Sequence, residues 1–188
     1  MYLLFGKRTL DICCALIAIL LLMPLILLIA TLIKMFDPGP MIFKQKRIGR
    51  DGAIFWFYKF RSMPVNTGDV PSDKLGSVRI GPMGKFIRRT SIDELPQLYN
   101  ILKGDMSVVG PRPPIPSQVE LIEARRISGA LSCRPGLTGL AQISSFDGMT
   151  VFQKAELDGK YAASQCLTGD LKIILGTFTY LLKPPPVY

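Results

Sequence analysis

Between Arg88 and Pro113 the chain reads RRTSIDELPQLYNILKGDMSVVGPRP. An adjacent acid pair, Asp93 and Glu94, follows a basic pair, Arg88 and Arg89, and the stretch closes on Gly110-Pro111-Arg112-Pro113. These residue types can handle a phosphate ester. Carboxylates hold a divalent metal or attack phosphorus, and the arginine fork matches phosphate oxygens. An aspartate, with an ordinary pKa of about 3.9, is ionised at neutral pH and needs no base to act as a nucleophile. A neighbouring glutamate can share Mg²⁺. Plainer readings stay open beside these. Ser91-x-x-Glu94 also matches a capping box, with Pro96 placing the helix start near Ser91 to Asp93. Gly-Pro-Arg-Pro can be a simple turn, and Gly136, Thr138 and Gly139 can let backbone approach a ligand closely.

What is missing narrows the chemistry. Among 188 residues there is no histidine. That removes Ser-His and Cys-His triads, histidine-ligated zinc and imidazole acid/base work. The net charge of +9 calls for an anionic partner, whether nucleic acid, lipid headgroups or a phosphorylated substrate. Cys13, Cys14, Cys133 and Cys166 form no C-x-x-C pair, which suits a reducing compartment and a role as small apolar filler.

The elements that must carry these residues begin with an apolar run, Ile12 to Ile33, long enough to span a bilayer. Pro24 lies near its middle, where it removes a backbone hydrogen bond. Positive charge flanks both ends: Lys7 and Arg8 before it, Lys34, Lys44, Lys46 and Arg47 after it. A helix–break–helix entering and leaving one leaflet puts both flanks on the cytoplasmic side, while a proline-kinked single span is the alternative. Asp11 lies near the entry, within reach of Lys7 or Arg8. Asp37-Pro38-Gly39-Pro40 ends the run. Met41 to Lys46 and Ala53 to Phe60 are expected strands around a Gly49–Gly52 turn, with Lys59 and Arg61 alternating among aromatics. Asn66 to Ser77 is expected as a loop. Gly84 to Arg89, Thr90 to Leu102, Gln118 to Arg126 and Leu171 to Leu182 are expected helices, and Arg134 to Gln142 a glycine turn followed by a strand-like piece.

Together the blocks KRTLD (7–11), Pro24, GPMIFKQKRIG (39–49), FYKFRSM (57–63), GKFIRRTSIDELPQLYNILKGDMSVVGPRP (84–113) and RPGLTGLAQ (134–142) closely resemble the monotopic phosphoglycosyl transferases, the bacterial sugar transferase family. The likeness is nearest to its smallest, PglC-type members, and covers nearly the whole chain. It implies an α+β fold: a re-entrant anchor over residues 1–37, then a small, mostly helical catalytic domain over 38–188 with short strands and amphipathic interfacial helices. It implies transfer of a sugar-1-phosphate from a UDP-sugar to a polyprenyl phosphate, usually undecaprenyl phosphate, with release of UMP. The setting would be the cytoplasmic face of a bacterial inner membrane, at the start of surface-glycan assembly. Asp93 would be the nucleophile carrying a covalent phosphosugar, and Asp93 and Glu94 would hold Mg²⁺. Arg88 and Arg112 would hold phosphate, Lys59 would support phosphate or the site, and Asp158, upstream of Tyr161, would take a supporting binding role. The oligomeric state stays open, a dimer included.

Two departures stand out. The anchor proline follows Met23 rather than serine, so no hydroxyl satisfies a freed carbonyl there. The Asn-Gly-Arg that many members carry after Ala-Gln is replaced by Ile143-Ser144-Ser145-Phe146-Asp147-Gly148. This puts nucleotide and sugar recognition in doubt and leaves the dyad untouched. A non-catalytic basic scaffold on the membrane surface fits charge and anchor equally well, but has no need of Asp93 beside Glu94. Nucleic-acid binding is disfavoured, because the basic residues are scattered and the anchor has no use in it.

Overall fold

A computed structural model describes residues 2–36, 39–64, 80–144 and 149–182. The expected loop at Asn66 to Ser77, the Asp37-Pro38 break, the Ser145–Gly148 departure and the C-terminal prolines lie outside them.

After a π-helical turn at Tyr2–Gly6, helix α1 runs Lys7–Phe36. At 30 residues it is about 45 Å long and apolar enough to cross a membrane by length and composition. Pro24 lies inside it without interrupting it, so the expected break is not a gap in the helix. Its covered side chains form one stripe. Lys7, Asp11 and Ala15 are buried, then Ala18, Ile19, Leu25 and Ile26 are partly covered, then Ile29 and Ile33 are buried. At about 100° per residue these positions fall on one face of the helix. The helix therefore touches the body on both sides of Pro24, through residues 7–19 and through residues 25–33. Leu16, Ile17, Leu20, Leu21, Leu27 and Leu28 are exposed on the other side.

Strands β1 (Ile42–Ile48) and β2 (Ile54–Phe60) form an antiparallel hairpin, with Lys44 opposite Tyr58 and Lys46 opposite Trp56. Asp51 turns the connection with φ 55°. Period-two alternation sends Phe55 and Phe57 inward against Ala15, Leu98, Ile101 and Met106. Phe60, at the hairpin's end, packs with Ile29, Ile33 and Ile87.

The expected helix from Thr90 to Leu102 is split. Helix α2 spans Pro82–Arg89, Ser91 turns left-handed, Ile92–Glu94 make one 3₁₀ turn, and α3 starts at Gln97 and ends at Lys103. Asn100, fully buried in α3, donates to the carbonyl of Trp56 and accepts from the amide of Tyr58. It staples the edge of β2 to this helix.

Strand β3 (Ser107–Val109) pairs in parallel with β4 (Gly136–Thr138), and α4 (Val119–Ile127) lies between them in sequence. The expected strand-like piece after the glycine turn is only these three residues, because α5 begins at Leu140 and runs to Ser144. Helix α6 (Val151–Ala163), which the sequence reading left unassigned, opens on a capping box between Thr150 and Gln153. Helix α7 (Leu167–Leu181) buries Ile173 and exposes Leu171, Leu175 and Phe178.

The N-terminal turn, α1 and α6 meet α7 at Asp170, which is fully buried in its first turn. Tyr2 donates to it, the Lys7 ammonium lies 2.7 Å away and the Tyr161 hydroxyl 2.9 Å away. Lys7 also donates to the carbonyl of Val109, which lies 3.0 Å from the Tyr161 hydroxyl as an alternative acceptor for its one proton. Arg8 donates to the carbonyls of Ile101 and Leu102 at the C-terminal turn of α3, where a cation suits the helix dipole. The expected pairing of Asp11 with Lys7 or Arg8 is replaced. Those cations face the body, and Asp11 accepts from the Ser107 hydroxyl and the Val108 amide.

Candidate active site

The acid pair sits in a strained turn. Ser91 has φ 55°, a backbone region that non-glycine residues rarely adopt. With Ser91 left-handed its side chain caps nothing, and the expected Ser91–Glu94 capping box does not form. Pro96 supplies the N-cap position of α3 instead. The turn frees Glu94 to face two cations. Lys59 Nζ, from β2, lies 2.7 Å from Glu94 Oε1 and 3.6 Å from Asp93 Oδ2. Arg112 Nη2 lies 2.8 Å from the same Glu94 oxygen. Asp93 is 6 % exposed, and the Phe57 ring sits against the Lys59 ammonium.

Arg112 reaches Glu94 because its backbone is tightly held. Gly110, Gly136 and Gly139 meet at backbone distance. A Cβ on Gly110 would lie 2.3 Å from the Arg134 carbonyl, and one on Gly139 would lie 2.2 Å from the Gly110 carbonyl. These glycines let the two segments pack backbone on backbone. Pro111, Pro113 and Pro114 have no N–H, so the segment is fixed through its carbonyls. Pro111 O accepts from Gly136, Arg112 O from Arg125, Pro113 O from Arg47 and Pro114 O from Ile48.

The carboxylates are driven apart electrostatically. Burial pushes Asp93 up from the usual aspartate value and Glu94 adds to this, while Lys59, Arg112 and Arg88 pull it back. Burial would also raise Glu94, but Arg112 and Lys59 together hold it well below the usual glutamate range. Glu94 is thus held as an anion, and Asp93 is the more basic of the two.

Of the residues expected at the site, Asp93, Glu94, Lys59 and Arg112 come together. Arg88, in the last turn of α2, acts on Asp93 through its charge. Asp158 does not join them. It is 1 % exposed in α6 and paired with Arg125 at 2.6 Å. Its carboxylate meets Arg125, which donates in turn to the Arg112 carbonyl. Sequence reasoning missed Arg125, Arg47, Asn100 and Asp170. Only Asp158-x-x-Tyr161, an acid one helical turn before a tyrosine, hinted at a buried polar face.

Among the described residues no group of three or more acidic or thiol side chains could cage a metal. Two adjacent carboxylates do fit Mg²⁺, which is commonly held by one or two carboxylates and completed by substrate phosphates and water.

The chain belongs to the bacterial sugar transferase family, whose model matches residues 2–184. It is 43% identical over 193 residues to the galactosyl transferase CpsE of Streptococcus agalactiae, covering 95% of this chain and 42% of the relative. It is 40% identical over 191 residues to a UDP-glucose:undecaprenyl-phosphate glucose-1-phosphate transferase of Caulobacter vibrioides, covering 97% of this chain and 72% of the relative. The exopolysaccharide production protein ExoY of Rhizobium meliloti is 36% identical over 190 residues, covering 92% and 83%. The chain therefore spans less than half of the Streptococcus relative and most of the other two.

Proposed function

We propose that this chain is a phosphoglycosyl transferase that moves a sugar-1-phosphate from a UDP-sugar to undecaprenyl phosphate. The observation that carries the reading is the convergence of Lys59 and Arg112 on Glu94 beside the buried Asp93, in a family whose relatives bear names for this reaction. Asp93 attacks the β-phosphorus of the donor. A P–O bond forms to its carboxylate, the bond to the bridging oxygen breaks, and UMP leaves with the electron pair. An oxygen of the lipid phosphate then attacks the same phosphorus and releases Asp93 as carboxylate. The sum is a polyprenyl diphosphosugar and UMP, by a ping-pong course.

Arg112, 41 % exposed at its side chain, is the cation best placed to meet donor phosphate, while Lys59 stays against the dyad. Asp93 and Glu94 would hold Mg²⁺, which supplies charge neutralisation at the donor diphosphate.

The covered stripe of α1 supports the re-entrant reading. A single span would carry one end of the helix across the hydrocarbon, yet Lys7 and Ile33 both touch the body. The exposed leucines and isoleucines of α1 each forfeit about 1.5–3 kcal/mol if left in water. Lipid removes that penalty, and the exposed stripe of α7 suits the same interface. The basic flanks of α1 support a cytoplasmic-face setting under the positive-inside rule.

UMP release by the detergent-solubilised chain, with Mg²⁺, undecaprenyl phosphate and a panel of UDP-sugars, tests the reading. Release with a donor, lost in Asp93→Asn, is expected. No release and no covalent phosphosugar adduct across the panel would leave a membrane scaffold instead.

A further inference from the structure

We propose that Arg125 is a positioning residue whose work is to aim Arg112 at the dyad, with Asp158 as its anchor. The inference rests on the transferase reading for its kinetic consequences, but on geometry for itself. Arg125 lies in α4 and is 4 % exposed. Its Nε and Nη2 meet Asp158 Oδ2 at 2.8 and 2.6 Å, which leaves Nη1 to donate to the Arg112 carbonyl at 2.7 Å. The Arg112 side chain in turn donates to Glu94. A continuous line thus runs from α6 through α4 to the acid pair.

Three features make this more than packing. Arg112 sits between two prolines, which fix their own φ and hold Arg112 to extended backbone. Its carbonyl direction therefore sets where its side chain starts. The Pro111 and Pro114 carbonyls are met by the backbone amides of Gly136 and Ile48, while Pro113 and Arg112 are met by the side chains of Arg47 and Arg125, and Arg125 is itself held by the buried Asp158 carboxylate. Close packing of α6 on α4, where a Cβ on Gly159 would lie 2.9 Å from Ser128, holds Asp158 at the distance that orients Arg125. A lysine at 125 could keep the charge pair but cannot supply the forked second arm.

The experiment uses the full chain in detergent with Arg125→Lys, Arg112→Ala and the double variant. Arg125→Lys is expected to lower kcat/KM for UMP release by about tenfold to a hundredfold, the scale of a small misplacement, with little change in thermal midpoint. The double variant is expected to be no slower than Arg112→Ala alone, because both changes remove one function. A rate equal to wild type in Arg125→Lys, or losses that multiply in the double variant, overturns the proposal. A second readout needs no substrate. ¹⁵N-arginine labelling follows the Arg112 guanidinium, assigned through Arg112→Ala. Its contact with Glu94 hinders its rotation in the wild type, and that hindrance should be lost in Arg125→Lys, as in Glu94→Gln. An unchanged Arg112 signal overturns the proposal even where no donor is turned over, in which case the transferase reading fails separately. Arg125→Gln with Asp158→Asn, which leaves neither charge buried alone, gives the same loss where the lysine variant does not fold.

Discussion

The Lys59 ammonium lies 2.7 Å from Glu94 and 3.6 Å from Asp93, so a single cation serves both carboxylates. It opposes the burial that raises Asp93 and helps Arg112 hold Glu94 low. Lys59→Met should therefore raise Asp93 further. An attacking carboxylate must be ionised, and rate is lost as pH falls through its pKa. The acidic limb of kcat/KM for UMP release should move to higher pH in this variant. A limb in the wild-type position would remove Lys59 from the electrostatics of the dyad.

Asp93→Asn should separate stability from activity. A folded-state pKa raised above the unfolded value means that ionising Asp93 opposes folding. Its favourable contribution is complete below the unfolded pKa and is lost as pH rises through the folded one. At neutral pH the wild type carries that cost and the amide does not. Loss of UMP release together with an unchanged or higher thermal midpoint is expected. A lower midpoint would show that the charge is structural.

Glu94→Gln should behave in the opposite way. A depressed pKa contributes stability above the unfolded value and loses it as pH falls through the folded one. Removing the anion leaves Lys59 and Arg112 facing each other, at a cost of about 2 kcal/mol, between the values for exposed and buried pairs. A denaturation midpoint at pH 7 measures this. More Mg²⁺ should also be needed for half-maximal rate, and unchanged Mg²⁺ dependence would count against a ligand role.

Asp170→Leu should destabilise the chain by about 3–5 kcal/mol, because it leaves the Lys7 ammonium buried without its counter-ion. Lys7→Met added to it should recover most of the loss, since an apolar pair can replace a buried ion pair. Denaturant midpoints of the single and double variants in one detergent provide the comparison. Additive losses would mean that the two residues act apart.

The site was legible where chemistry shows in residue type. Two adjacent acids, a lysine among aromatics and an arginine between prolines are unusual wherever they fall, and the structure brings all four together. The hairpin was legible to within two residues at each end from its alternation and its Gly-Arg-Asp-Gly turn. What stayed hidden depends on distance along the chain. Strands β3 and β4 have three residues each, too few for a periodic signal, and exist because Gly110, Gly136 and Gly139 let two remote segments touch. Helix α6 carries Gly159 in its interior, where glycine weakens the helical pattern by about 1 kcal/mol. That glycine is there for Ser128 of the neighbouring segment. The Ser91 left-handed turn was hidden for the opposite reason. The local pattern favours a capped helix, and the tertiary pull of Lys59 and Arg112 on Glu94 offers a better use for the carboxylate.

The bond between Lys7 and Asp170 joins residues 163 apart in sequence. Lys7 therefore leaves the ribosome well before its counter-ion. At about 5–20 residues per second, the interval between them is roughly 8–30 s. During that time α1 exists before the surface that will hold its covered face. On the anchored reading proposed above, the helix is free to meet lipid first, and the arrival of Asp170 then latches the finished chain onto it.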